Sequence, residues 1–205
     1  MTVKFIQYFD LLPGQEKEFR SFAAHSYLPG VNGTGLVRLV GSWYVACGEG
    51  PYFIFESTAP SVREIQQLLE LDEFAKLNRL LHFLITNYKT KVLAPGGLVE
   101  DEIPRTRHFR FNHHWNVNYA RFEAYERFMR DSYLPTVQGL GLRIIGGWEV
   151  TIGPGPGFVV EGAVPGLAGL LAAIGRREYR ELIADLLGLV SGFGSKILVP
   201  TGLTG

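Results

Sequence analysis

The sequence predicts an α+β protein built from two tandem ferredoxin-like β-α-β-β-α-β units packed sheet to sheet, and three observations predict it. The chain nearly repeats itself, because "SYLPGVNGTGLVRLVGSW" from Ser26 to Trp43 returns as "SYLPTVQGLGLRIIGGW" from Ser132 to Trp148. Within each copy the apolar spacing changes from alternate residues to helical spacing and back, which marks strands flanking helices. The resulting order, strand-helix-strand-strand-helix-strand, is the split βαβ plan, whose sheet carries helices on one face and needs cover on the other.

The elements follow in order. A shift of 106 residues aligns Phe5 with Phe111, Phe22 with Phe128 and Tyr27-Leu28-Pro29 with Tyr133-Leu134-Pro135; after one lost residue, a shift of 105 aligns Trp43 with Trp148, Glu56 with Glu161 and Lys91 with Lys196. Strand one is "VKFIQYF", with Val3, Phe5 and Phe9 at alternate positions before the Pro13-Gly14 turn. A helix from Gly14 to Tyr27 carries Phe19, Phe22 and Ala23 at helical spacing, and Pro29 is expected to halt it. "LVRLVGSWYVAC" and "PYFIFEST" are strands joined by the "GEG" turn, replaced by "GPG" in copy two. A helical stretch from Ser61 to about Tyr88, with a break near Leu71-Asp72, leads to the short last strand "KVLAP". Its twin is "KILVP".

The obvious cover for each sheet is the other. Packed face to face, the two form the dimeric α+β barrel within one chain, a pseudo-dimer in which each half is free to diverge. The expected division is a first repeat over 1–97, a linker over 98–106 and a second repeat over 107–205. Larger homo-oligomers stay open.

Composition excludes several function classes. With 20 basic and 20 acidic residues there is no charge excess to draw nucleic acid or an anionic membrane surface. Cys47 stands alone, which rules out an internal disulfide and multi-cysteine metal sites and fits a cytoplasmic setting. No stretch is as long and apolar as a bilayer crossing requires, so the chain is expected to be soluble. "GEGP" and "GPGPG" join strands and precede no helix, so they are turns rather than phosphate loops.

Several of these stretches resemble the NIPSNAP-type branch of the dimeric α+β barrel superfamily. That branch shows a Tyr-Leu-Pro after helix one, a Gly-x-Trp in strand two, a Trp-Glu-Tyr-like end to strand three and a Leu-x-Pro in strand four. The matching residues here are Gly41-Ser42-Trp43, Phe55-Glu56-Ser57 and Leu93-Ala94-Pro95, and in the second copy Gly146-Gly147-Trp148, Val160-Glu161-Gly162 and Leu198-Val199-Pro200. The chain departs in strand one, where the branch often has Arg-x-Tyr and this sequence has Gln7-Tyr8-Phe9 and His113-His114-Trp115. The resemblance implies the barrel fold, within a superfamily of cofactor-independent monooxygenases, haem-binding enzymes and small-molecule binders.

Candidate site residues come mainly from the divergence of strand one. "RHFRFNHHWN" holds three of the five histidines and its twin none. Alternation sets His113 with Phe109, Phe111 and Trp115, and His114 with Arg110 and Asn112. Tandem histidines on opposite faces cannot grip one metal, so no metal is expected. The polar face bearing Arg110, Asn112 and His114 is expected to meet Lys4, Ile6 and Tyr8 across the barrel. His114 and His113 are the acid-base candidates, and Arg110, Asn112, Tyr8, Trp115, Trp148 and Glu161 are the candidate lining for an apolar, aromatic ligand. Arg110 and His114 are expected to be removable at about 1 kcal/mol each. If the hairpins turn at Glu49 and its twin, Trp43 faces Glu56 and Trp148 faces Glu161. His25 caps a helix end, with haem ligation as the rival reading, and His82 is structural. No cofactor is expected. The functional reading is a small-molecule binder or a cofactor-independent enzyme of monooxygenase or isomerase type; the alternative is a structural or interaction protein.

Overall fold

Alternation decides the strands of the computed structural model, which describes residues 2–99 and 108–203. The strands are β1 (Val3–Leu11), β2 (Arg38–Cys47), β3 (Phe53–Ala59), β4 (Ile85–Pro95), β5 (Phe109–Val117), β6 (Arg143–Ile152), β7 (Phe158–Val164) and β8 (Val190–Pro200). In β1, Val3, Phe5 and Phe9 turn outward to the helices, whereas Ile6 joins an inner cluster. From residue 100 onward the expected linker lies outside the described residues.

All strand pairings are antiparallel, and they close one barrel in the order β1-β3-β2-β8-β5-β7-β6-β4. The expected pair of stacked sheets is thus corrected to a single continuous one. Its two seams are hydrogen-bonded, β2 to β8 through Tyr44 opposite Val199 and β4 to β6 through Ala94 opposite Glu149. A twisted four-stranded sheet has two unpaired edges, and joining each to the other sheet removes both. The seams use corresponding contacts: Thr201 N–H donates to the Ser42 carbonyl at 3.1 Å and Gly96 N–H to the Gly147 carbonyl at 2.7 Å.

Helices cover the outside. They are α1 (Glu16–Phe22), α2 (Leu28–Gly33), α3 (Val62–Glu70), α4 (Asp72–His82), α5 (Phe122–Phe128), α6 (Leu134–Gly139), α7 (Leu167–Ile174) and α8 (Arg177–Leu187). Pro29 does not halt its helix. A π turn, Ala23–Tyr27, precedes it, and the Leu28 N–H reaches back five residues to the Ala23 carbonyl. Proline has no N–H to donate and its ring presses on the carbonyl four residues back, and the widened turn relieves both, so α2 runs on to Gly33. Met129–Tyr133 does the same before Pro135. Ser61 caps α3 by accepting from the Arg63 N–H, and the break falls at the extended Leu71. The second helix ends at His82, not Tyr88, and β4 is the longer for it.

Three apolar cores result. Two lie between the barrel and its helices, around Phe9, Phe19 and Phe55 on one side and Trp115, Tyr133 and Leu170 on the other. The third fills the barrel with Ile6, Trp43, Ile54, Leu93, Trp148 and Leu198.

Candidate functional site

Inside this apolar filling lie four buried charges. Lys4 Nζ donates to Glu161 Oε2 and is 2.9 Å from Glu56 Oε1, while Arg110 Nη1 is 2.6 Å from Glu56 Oε2. The quartet is formally neutral. Burial pushes the Glu56 carboxyl up, but the Arg110 and Lys4 cations more than reverse this and hold it below the usual carboxylate range. Each cation lies on an indole: the Arg110 guanidinium carbon is 3.6 Å above the Trp43 ring and Lys4 Nζ is 4.2 Å above that of Trp148. Gly41 and Gly146 make room for these rings, since a Cβ at Gly41 would approach the Trp43 ring to 2.1 Å.

The quartet corrects two expectations. Glu56 pairs with Gly41 and Ile6, while Trp43 pairs with Ile54; likewise Glu161 pairs with Gly146 and Trp148 with Val159. The hairpin turns between Gly48 and Glu49, with Gly48 at φ +110°, and this moves the partners of Gly41 to Tyr44 by two residues without changing the face. Arg110, at 0% exposure, belongs to the filling of the barrel rather than to an accessible wall. Its truncation would leave the two buried carboxylates with Lys4 as their one cation in the quartet, an imbalance that argues for a cost above the expected one of about 1 kcal/mol.

On the outer face, His113 is clamped on both ring nitrogens, with Nδ1 2.5 Å from the Tyr133 hydroxyl and Nε2 2.7 Å from that of Tyr179. Burial, with His114 adding to it, lowers its pKa to about 3. At the corresponding position Gln7 donates to the hydroxyls of Tyr27 and Tyr88 at 2.7 and 2.8 Å. These polar bolts tie helices to the sheet. Trp115 is likewise sealed there, donating to the Tyr125 hydroxyl at 3.1 Å. His113 and Trp115 therefore do not line the barrel interior.

Tyr8, Asn112 and His114 do come together, in a cavity of about 180 Å³ at one mouth of the barrel. Ile54 and Val159 form its floor, and Pro51, Pro154 and Pro156 of the two hairpin tips its rim. Burial, followed by the fields of Glu161 and Glu56, keeps the Tyr8 phenol protonated far above neutral pH. His114 is held at about 4, by burial first, then by Lys196 and Lys91, against a smaller opposing pull from Glu49. At neutral pH the two are a hydroxyl donor and an uncharged imidazole. Asn112 Oδ1 is buried without a partner among the described residues.

The sequence reading missed the lysines of this cavity, Lys89, Lys91 and Lys196. Lys91 Nζ is 5.5 Å and Lys196 Nζ 5.3 Å from the centre of the Tyr8 ring. Burial, then Lys196 and Lys89, brings Lys91 down to about 8, and burial lowers Lys196 as well. The available signal was a lysine kept at both Lys91 and Lys196, just ahead of the apolar strand ends Val92-Leu93 and Ile197-Leu198.

A second hollow, of about 230 Å³, lies outside the barrel under α5, between Tyr125, Met129, Gly147 and Phe158. Haem does not fit these residues. His25 and His82 are exposed, with Nδ1 within 2.9 Å of the Ser21 carbonyl and 2.7 Å of the Asn78 carbonyl respectively. The outer hollow holds no histidine, and the cavity at His114 is smaller than the roughly 300 Å³ of even a compact drug-sized pocket. Among the described residues no three His, Cys, Asp or Glu side chains gather as a metal site, and no helix is long and apolar enough to cross a membrane.

No protein-family model and no curated protein matches the chain. Solved structures do. A candidate monooxygenase from Lactobacillus acidophilus NCFM superposes with a TM-score of 0.66 at 12% identity, covering 99% of this chain and 95% of that one. A chlorite dismutase variant from Candidatus Nitrospira defluvii gives 0.68 at 13%, with 98% and 92% covered. An anthrone oxidase-like protein gives 0.57 at 10%, with 98% and 93% covered. The likeness shows the fold alone, an α+β barrel.

Proposed function

We propose that the chain binds a small aromatic molecule in the mouth of its barrel and, without a cofactor, moves protons on it there as an isomerase does. One observation carries this reading: Tyr8, always protonated, and His114, always neutral at pH 7, face the same cavity beside the unpartnered Asn112 Oδ1. The His114 imidazole would accept a proton from one ligand atom while the Tyr8 hydroxyl donates one to another, and passage of a proton from the imidazolium back to the phenolate restores both, so the step needs neither dioxygen nor a reductant. A monooxygenase-like reaction is supported by the names of two proteins of similar fold and by no group in this cavity.

We further read the barrel as two ferredoxin-like copies, over 1–97 and 107–205, related by a pseudo-twofold axis, and place it on sequence motifs with the NIPSNAP-type branch. Corresponding registers support the duplication, because Phe5 opposes Ser57 in β1–β3 as Phe111 opposes Gly162 in β5–β7. On this reading the cavity lies on the axis, since Lys91 and Lys196, Tyr8 and His114, and Ile54 and Val159 are twins.

Screening small aromatic compounds by NMR, with the ring signals of Tyr8 and His114 as reporters, tests the proposal. Expected are saturable shifts of both residues, lost when Ile54→Trp plugs the floor. A screen in which no compound moves these signals, or in which the plugged variant binds equally well, leaves the non-catalytic interaction protein as the better reading.

A further inference from the structure

Two lysines of the mouth, Lys91 and Lys196, meet an aromatic ring where a carboxylate would be expected. Among the described residues neither Lys91 nor Lys196 forms an ion pair, and the one carboxylate lining the cavity, Glu49, is on an exposed rim. Three ammonium groups against one carboxylate leave a net positive cavity, and two of the three are half-buried on the same phenol ring. A cation above an aromatic face gains only a little, while partial burial and the neighbouring like charge both disfavour the ammonium form.

The backbone nonetheless holds both in place. Each hairpin tip packs on the strand that carries the other half's lysine: a Cβ at Gly48 would come within 2.3 Å of the Ser195 carbonyl and 3.1 Å of Lys196 Cγ, and one at Gly153 within 2.6 Å of the Thr90 carbonyl and 3.0 Å of Lys91 Cγ. Both glycines have positive φ, +110° and +118°. The lysine stems are therefore fixed by close contacts rather than left to sweep through solvent. Prolines at the rim and Ile54 and Val159 at the floor leave a narrow apolar slot between them.

We propose that this cavity is built for the anionic group of a small aromatic acid, held between Lys91 and Lys196 with its ring in the apolar slot beside Tyr8. The inference rests on the binding reading above and adds the charge of the ligand. It also gives the lysines a part in any proton transfer. A bound anion cancels the Lys196 and Lys91 fields that, after burial, depress His114, so the imidazole becomes a stronger base once the ligand is in place. Tyr8, Lys89 and Glu49 line the same cavity as His114, and of these Glu49 works against the field of the two lysines.

Calorimetric titration of the full chain with benzoate, and with benzamide as its uncharged counterpart of the same shape, tests this. Expected are saturable benzoate binding, benzamide weaker by about tenfold or more, and a loss of about tenfold in Lys91→Met and in Lys196→Met. Benzoate should also weaken as pH rises through about 8, where Lys91 loses its proton. No benzoate saturation up to about 10 mM, benzamide binding as tightly as benzoate, or unchanged affinity in both methionine variants would each overturn the proposal. Equal benzamide binding that Ile54→Trp abolishes removes the anion alone and leaves the binding reading intact. The two-ligand comparison on the unmodified chain holds even if a variant fails to fold.

Discussion

Arg110 shows how one side chain can look like a site and be a strut. Its even-numbered place on a polar strand face suggested ligand contact, and the face is the right one, but the guanidinium lies within the barrel against Glu56 and Trp43. Arg110→Ala should cost about 3–5 kcal/mol in urea unfolding, because Glu56 would lose a neighbouring cation while staying buried; a cost below about 1 kcal/mol would show that the quartet contributes little to stability. His113 offers a cleaner reading through pH. Its folded pKa of about 3 lies below the unfolded value of about 6.5. Between these the unfolded chain binds a proton that the native one refuses, so stability falls as pH drops through the window, by about 1.4 kcal/mol per unit. His113→Gln installs the residue that bolts the other half at Gln7. It should fold at pH 7 and remove about one proton from the slope below pH 6.5; His114 keeps its own contribution, and Glu56 adds to the slope once pH falls below the usual carboxylate range. An unaltered slope would mean that His113 titrates freely in the native protein.

At the scale of elements, the strands were legible because each buries a face on either side of the barrel wall with period two. The turn lengths were not. "GEG" fixes that a hairpin exists, but the left-handed Gly48 decides where it turns, and so whether Glu56 opposes Trp43 or Gly41. Pro29 misled for a related reason: proline forbids a regular turn, and the chain answered with a π turn that no spacing of apolar residues announces. The stretch "ITNY", residues 85–88, was read as the end of the helix, yet its Tyr88 is held by Gln7 and its Asn87 takes φ 53°, a bend by which β4 departs from regular pairing with β1. The mouth lysines stayed hidden because only closure of the barrel brings β4 and β8 to the same rim. Gly153→Ala is the corresponding test of an element. An added Cβ at φ +118°, pressed on the Thr90 carbonyl, should cost about 1–3 kcal/mol and loosen Lys91. Thermal melts and the titration of Lys91 would show both effects, and a variant as stable as the parent would show that the tip does not clamp the strand.

For the whole molecule, closure makes the halves interdependent. Each seam is a row of backbone hydrogen bonds between them, and the central ion pairs of Lys4 with Glu161 and of Arg110 with Glu56 also cross from one to the other. Separation would bare four strand edges and leave buried charges without partners. Unfolding followed by tryptophan fluorescence, with Trp43 and Trp148 inside the barrel and Trp115 outside, should therefore coincide with loss of helix by circular dichroism in one transition. Two resolved transitions would mean that one half survives the other. The cavity at the mouth carries a further consequence of this architecture. Were the two halves identical there, an unsymmetrical ligand could enter in either of two poses of equal energy, and only half of the bound molecules would present the reacting end to a given side chain. Tyr8 against His114, Ile6 against Asn112 and Lys89 against Gly194 lift that degeneracy, so a ligand that distinguishes head from tail is handed one orientation.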